Sequence, residues 1–337
     1  MYGTLADVII QRGCPELERL VAVRSKGWKE EKLDQTFARQ RHVSDNAEDK
    51  RNRDWYKRLN AVMEEIDGYS LCVPVMGSPK FLDLGCCPGG FASYILQRNR
   101  LATGVGVSLP VERGGHKFGL QERLRSRFQI HFADITSFQQ LSPFFIDHPR
   151  LSPAPPQMRP ASFDLVLLDG HQLRTDTSDY AAPWDMDRLL ISQLILALQS
   201  VRTGGSIVFT LAHPERILTA KILYLLHVLS GDVIAIKPRT MHMTRGIFYA
   251  VALGVGKGAK GRQMPEMIRG LQDIWAATTF GGEEGKGRFI EGSELDFIIA
   301  TEELETSHLD WLISVGQPIW DVQAQWLDKW FRSKGVV

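Results

Sequence analysis

Two acidic residues, each set in or just after a short apolar run, are the groups in this chain best placed for chemistry. Phe81-Leu82-Asp83-Leu84 runs into Gly85-Cys86-Cys87-Pro88-Gly89-Gly90-Phe91, and Phe163-Asp164-Leu165-Val166-Leu167-Leu168 ends on Asp169-Gly170-His171. The first apolar run, bounded by glycine and followed by a helical pattern, reads as a strand feeding a helix. Gly85 permits a tight turn, and Gly89 and Gly90, lacking Cβ, let a ligand press against the backbone. Amides opening the next helix point at that ligand and favour its anionic part. The dinucleotide fingerprint G-x-G-x-x-G is excluded, because it needs a glycine where Cys87 stands. Asp169 falls at the carboxyl end of its strand, where open α/β sheets bind ligands. Its plainer role would be to cap the following turn. Asp164, one strand-length earlier, reads as structural.

Asp83-x-Gly85-x-x-Pro88-Gly89-Gly90 resembles motif I of S-adenosylmethionine (SAM) methyltransferases. Its Pro-Gly-Gly form is similar to the FtsJ class, which methylates ribose 2′-hydroxyls of RNA. The resemblance implies SAM as cofactor, with Asp83, Gly85, Cys86, Pro88, Gly89, Gly90 and Phe91 on its methionine side. Family members usually close the second strand with an acid that holds the ribose hydroxyls. Ser108 stands there, offering a hydrogen bond but no charge, so weaker binding is expected. Asp134, in Phe132-Ala133-Asp134-Ile135, takes the place of the residue touching adenine. Asp169 matches the catalytic aspartate of motif IV and borders the cofactor. Tyr56-Lys57-Arg58-Leu59 lies 26 residues before Asp83 and resembles an aromatic-Lys-x-Leu element whose lysine enters the active site. Lys57 and Asp169 are therefore the catalytic candidates. The resemblance covers about residues 53–253.

It fails at two members of the family's Lys-Asp-Lys-Glu tetrad. Thr203-Gly204-Gly205-Ser206-Ile207-Val208-Phe209-Thr210 matches a Gly-Gly turn and strand, with Thr210 in place of the second lysine. The segment from Lys237-Pro238 to Ile247-Phe248 follows the family closely, with Gly246 in place of the glutamate. A ribose hydroxyl is a poor nucleophile, so losing a cation and an anion alters both proton removal and geometry. Three readings follow. The substrate carries a better nucleophile, as a small metabolite would. Or His171 or His213 serves as base, since histidine titrates in the useful range. Or the domain is a catalytically inactive SAM-binding interaction module.

These residues need an α/β scaffold. Strands are predicted at 80–84, 103–108, 127–132, 163–168, 205–211, 232–236 and 247–253, with helices near 90–98, 112–125, 136–146, 185–201 and 214–229. The pattern predicts a doubly wound, mostly parallel, seven-stranded Rossmann-like sheet. Residues 1–70 read as a helical N-terminal extension, 71–254 as the methyltransferase domain and 255–337 as a helical C-terminal appendage rich in tryptophan. Residues 254–262 read as a linker, and Ser152 to Pro160 as a Pro-rich surface loop.

With 337 residues the chain has room for one large domain plus extensions, and 44% hydrophobic content supports a real core. A net charge of +1 excludes a strongly basic coat protein. Basic segments 113–127 and 237–245 offer a path for RNA phosphates, whereas Asp176, Asp179, Asp185 and Asp187 after Asp169 would repel them. The four cysteines form no disulfide framework and no zinc-type pair, so no metal is expected, and a reducing compartment, cytoplasm or nucleus, is. Neither a signal peptide nor a membrane span is expected; Leu189 to Leu198 is too short and too polar.

Overall fold

The computed structural model describes residues 4–28, 49–140, 148–171 and 182–335. Apolar runs with branched side chains become strands wherever both faces can be covered. Seven do so: β1 (Lys80–Leu84), β2 (Thr103–Ser108), β3 (Phe128–Phe132), β4 (Phe163–Leu168), β5 (Val201–Ala212), β6 (Asp232–Ile236) and β7 (Ile247–Leu253). They form one sheet in the order β3-β2-β1-β4-β5-β7-β6. β1 to β5 are parallel to one another, and β7 runs antiparallel between β5 and β6. Chain order reverses between β1 and β4, which opens a crevice at their carboxyl ends. β5 begins at Val201 rather than at 205, because Val201 pairs with Phe163 before the register shifts.

Ten helices surround the sheet among the described residues: α1 (Leu5–Gln11), α2 (Pro15–Trp28), α3 (Asp49–Ser70), α4 (Gly90–Arg98), α5 (Glu122–Arg125), α6 (Asp185–Ser200), α7 (Ile217–Leu229), α8 (Met264–Phe280), α9 (Thr301–Ser307) and α10 (Leu309–Ser333). One face of the sheet packs α3 and α4, through Leu59, Val62, Met63, Phe91 and Ile95, onto Phe81, Leu165, Val208 and Tyr249. The other face carries α6, α7 and α8, with α2 and α10 beyond. Trp275 of α8 and Trp320 of α10 are fully buried in the same cluster as Val166 and Phe209. The helices at both chain ends thus complete the sheet's own core. Residues 254–262 are turns tied to α7, with Gly256 N donating to Leu229 O at 2.8 Å and Lys260 N to Val228 O at 2.7 Å.

The helix expected over 112–125 does not form. Val111–Arg113 is a single 3₁₀ turn ended by Gly114 in the left-handed region (φ 88°). His116, Phe118 and Leu120 then point inward while Lys117 and Gly119 are exposed. That period of two belongs to extended chain, and only Glu122–Arg125 is helical. Of the helix expected over 136–146, Ile135–Ser137 is a 3₁₀ turn and 141–147 lie outside the described residues. Period two also sorts the site. Asp83 pairs in register with Leu167, and Thr210 with Tyr249. Asp169 N extends the ladder to Leu84 O at 2.8 Å. Asp83, Asp169, Thr210 and Tyr249 therefore share the face covered by α3 and α4.

Candidate active site

A cleft opens at the carboxyl ends of β1, β2, β3 and β4. Four of the expected cofactor residues line it: Gly85, Ser108, Asp134 and Asp169. Asp83, Cys86, Pro88, Gly89, Gly90 and Phe91 are buried and do not line it. Gly85 adopts φ +86°, and a Cβ there would lie 2.4 Å from Gly170 N, so the turns after β1 and β4 touch through backbone. Gly89 is the N-cap of α4 at φ +104°, and no side chain caps that helix. Its free amides suit the anionic part of a ligand.

The Asp83 carboxylate is buried, and among the described residues neither oxygen has a hydrogen-bond partner. Burial first, then the nearby charges of Asp169 and Cys87, push its pKa well above the carboxylate range. An ammonium group brought close would relieve both effects. SAM carries such a group beside its carboxylate, so the loop and the orphaned Asp83 fit it. Cys87, which the sequence did not single out, also lines the cleft. Hydrogen bonding with Cys86 lowers its pKa, burial opposes this, and Ser108 adds to the lowering. Asp134 is already engaged: Oδ1 accepts from Thr136 N (2.9 Å) and Thr136 Oγ1 (2.7 Å), and Oδ2 from Arg113 Nη2 (3.0 Å).

The catalytic half is wired differently from the expected tetrad. Asp169 Oδ1 accepts a 2.6 Å hydrogen bond from Thr210 Oγ1, the group standing in the second lysine's place. His171 Nε2 lies 3.7 Å from the same oxygen. Burial raises the Asp169 pKa, against the lowering effects of His171 and Thr210. Gln193 of α6 fixes this turn, its Oε1 accepting from Gly170 N at 2.8 Å and its Nε2 donating to Gly170 O at 3.1 Å. Lys57 is not brought in: it is exposed on α3, whereas Trp55 and Leu59 line the cleft. Residues at i and i+4 share a helix face, and the one between them points elsewhere.

Gly246 has a physical explanation. A Cβ there would meet the His213 ring at 2.5 Å, so that ring occupies the space where a glutamate side chain would start. His213 does not line the cleft. Its Nδ1 instead lies 3.1 Å from Glu215 Oε1 and 3.2 Å from Arg24 Nη2. Arg24 Nη1 reaches Glu215 Oε1 at 2.8 Å, and Trp320 Nε1 donates to Glu215 Oε2 at 2.9 Å. Burial would raise the Glu215 pKa, but the His213 hydrogen bond and the charge of Arg24 hold it well below the carboxylate range. Lys237 is buried nearby and donates to the backbone oxygens of Arg245 and of Ile247 (2.6 Å to the latter), two residues of the cleft wall. Burial, then Arg24, pull its pKa down to about 7.

Arg113 and Arg245 reach the cleft, but Arg127 spends its guanidinium on the backbone oxygens of Leu96, Asn99 and Ala102. Of the acidic loop, Asp176 and Asp179 lie outside the described residues, while Asp185 lines the cleft beside Arg188 at 3.0 Å. Sequence reasoning missed Trp55 and His116, whose rings sit 5.0 Å apart at the cleft. His242, in the basic segment 237–245, does line the cleft, and burial and neighbouring charges lower its pKa to about 3. All four cysteines are free and buried. Among the described residues no His, Cys, Asp and Glu cluster suits a metal, and no helix is long and apolar enough to cross a membrane.

A protein described as a ribosomal RNA methyltransferase from Plasmodium falciparum aligns at 15% identity, covering 59% of this chain and 97% of that one, with a TM-score of 0.38. Phosphoethanolamine N-methyltransferase 1 of Haemonchus contortus, solved with phosphoethanolamine and S-adenosylhomocysteine, aligns at 14% identity over 67% of this chain and 48% of that one, with a TM-score of 0.39. No curated protein matches. The family model of the FtsJ-like methyltransferases matches residues 51–255, which take in the glycine loop, Asp169, Thr210 and Gly246. The chain therefore belongs to the FtsJ-like methyltransferase family, with SAM as its cofactor.

Proposed function

We propose that this protein transfers the methyl group of SAM to a ribose 2′-hydroxyl of RNA. The observation that carries the reading is the Asp169–Thr210–His171 group, set at the carboxyl end of β4 in the same cleft as the Trp55–His116 ring pair. Bound SAM supplies an electrophilic methyl. Asp169, held by Thr210, accepts the hydrogen bond of the incoming hydroxyl and aims its oxygen at that methyl. His171, half-exposed and within reach of the same carboxylate, takes the proton as the oxygen–methyl bond forms. Burial and His171 lower the pKa of His116, so with Trp55 it offers an uncharged surface on which an unpaired base can stack. Lys57, on the outer face of α3, has no part in this scheme.

A second reading, O-methylation of a small metabolite, is supported by the pairing of Arg113 with Asp134 and Arg188 with Asp185, which mutes the rim's positive field. Incubation with methyl-labelled SAM, total RNA and, separately, a metabolite extract tests both. Label in RNA that survives digestion as 2′-O-methylnucleoside is expected. Label in the metabolite pool alone would replace the first reading with the second. Calorimetry showing no SAM binding at millimolar cofactor would end both.

A further inference from the structure

The opposite end of the sheet holds a second opening. Lys80, Thr103, Phe128 and Phe163 mark the starts of β1, β2, β3 and β4, and all line a cleft of about 700 Å³. A strand of this length spans about 17–20 Å, so this cleft is separated from the active site by the sheet itself. Its wall carries Lys80, Arg125, Arg127 and Arg159 and, among the described residues, no carboxylate. The adjoining Asp164 is occupied, accepting from Lys80 N at 2.7 Å and from Arg202 Nε at 2.6 Å. Arg127 is fixed by its three backbone oxygens, and Arg125 by Leu120 O and Glu122. Among the described residues the Lys80 and Arg159 side chains have no hydrogen-bond or ion-pair partner, so their charges are available to a ligand.

The aromatic members of the wall, Phe128 and Phe163, are buried and offer no face for a base to stack on. Cations spread over three segments, with no stacking surface between them, suit phosphates in series rather than a single nucleotide. We propose that this cleft grips the phosphate backbone of the RNA substrate, at a point remote from the methylated ribose. The inference rests on the RNA reading above. It adds a contact that is independent of base sequence and sensitive to salt, and it explains how a chain of net charge +1 holds RNA with a muted active-site rim.

The test is fluorescence anisotropy of a labelled single-stranded RNA, titrated with the wild type and with the Lys80→Glu/Arg159→Glu variant between about 50 and 200 mM salt. SAM affinity, measured by calorimetry on both proteins, reports the intact active site. At about 0.7 per phosphate for single strands, loss of two contacts reduces the salt slope by about 1.4 and weakens binding about tenfold or more at the lower salt. SAM affinity stays within about twofold, since neither residue lines the cofactor cleft. If the variant fails to bind SAM, the neutral pair Lys80→Gln/Arg159→Gln replaces it, with the same expectation at smaller size. RNA binding by the wild type that is equally tight and equally salt-dependent in the variant would overturn the cleft and leave RNA as substrate. Wild-type protein that binds SAM but no RNA at low salt would overturn both. Inorganic phosphate displacing RNA at equal phosphate concentration would mark a free-anion pocket instead and also overturn the proposal.

Discussion

The two halves of the active-site cleft have fared differently. The half built on β1, β2 and β3 keeps the family's glycine loop, with Gly85 and Gly89 both in the left-handed region. The half built on β4, β5 and β7 keeps Asp169 but holds Thr210 and Gly246 where the resemblance puts lysine and glutamate. The cofactor half is shaped by backbone: a turn that touches another turn admits no side chain, so little can change without losing the fold. The half around Asp169 is set by side-chain tips. These can be exchanged as long as their neighbours fill the space, as His213 does against Gly246.

Breaking the catalytic half should cost most in rate. Asp169→Asn should lower methyl transfer by about 10²–10⁴-fold, as loss of an acid–base partner does, with SAM affinity by calorimetry little changed. Breaking the cofactor half should cost most in stability. Gly85→Ala places a Cβ against Gly170 N in a strained backbone region, and thermal or urea unfolding should show a loss of about 2–4 kcal/mol with weaker SAM binding. Gly246→Ala should cost about 1–3 kcal/mol through its clash with the His213 ring, and His213→Ala in the same chain should recover part of that. A double-mutant cycle with no coupling would show that the two positions are independent.

The pH dependence sharpens the contrast further. The folded-state pKa of Glu215 is depressed, so its network stabilises above the ordinary glutamate pKa and that stability is lost as pH falls toward the folded value. Acid unfolding of Glu215→Gln should therefore differ most from wild type at neutral pH, with the difference starting to narrow near about pH 4 and closing only as pH falls toward the depressed folded value. The smallest effect belongs to Lys57→Ala, which should change methyl transfer by less than about twofold. A loss of tenfold or more would return Lys57 to the cleft.

Most of the sheet could be read from the chain because doubly covered parallel strands are continuous apolar runs. β1, β2, β4, β6 and β7 appear with the predicted bounds. The extended run His116 to Leu120 was misread because its basic residues fit a helix face as well as an alternating strand-like one. In the site, motif order singled out Asp169 and the glycine loop, and the fold sets Asp169 and Gly85 in one cleft. Helical phase misdirected Lys57: the matching tetrapeptide is present, but Trp55 and Leu59 occupy the inward face. Gln193 and His116 were invisible because nothing local marks them; only the folded sheet brings them beside Gly170 and Trp55. The exchange of Gly246 for His213 is a contact between distant positions, and a single chain carries no local sign of it.

The bond from Trp320 to Glu215 has a consequence for how the protein is made. Arg24 and Gln323, 299 positions apart, meet over the same cluster that backs the catalytic wall, and Gln323 also donates to Thr244 O at 3.3 Å. As the chain leaves the ribosome, the strands that cradle the cofactor emerge together and can pair early. The wall around His213 is complete only once α10 packs against it. Without α10, Glu215 would lose Trp320 and Arg24 would lose Gln323, so a helix remote from the cofactor loop sets the footing of the wall that carries Arg245 and Ile247.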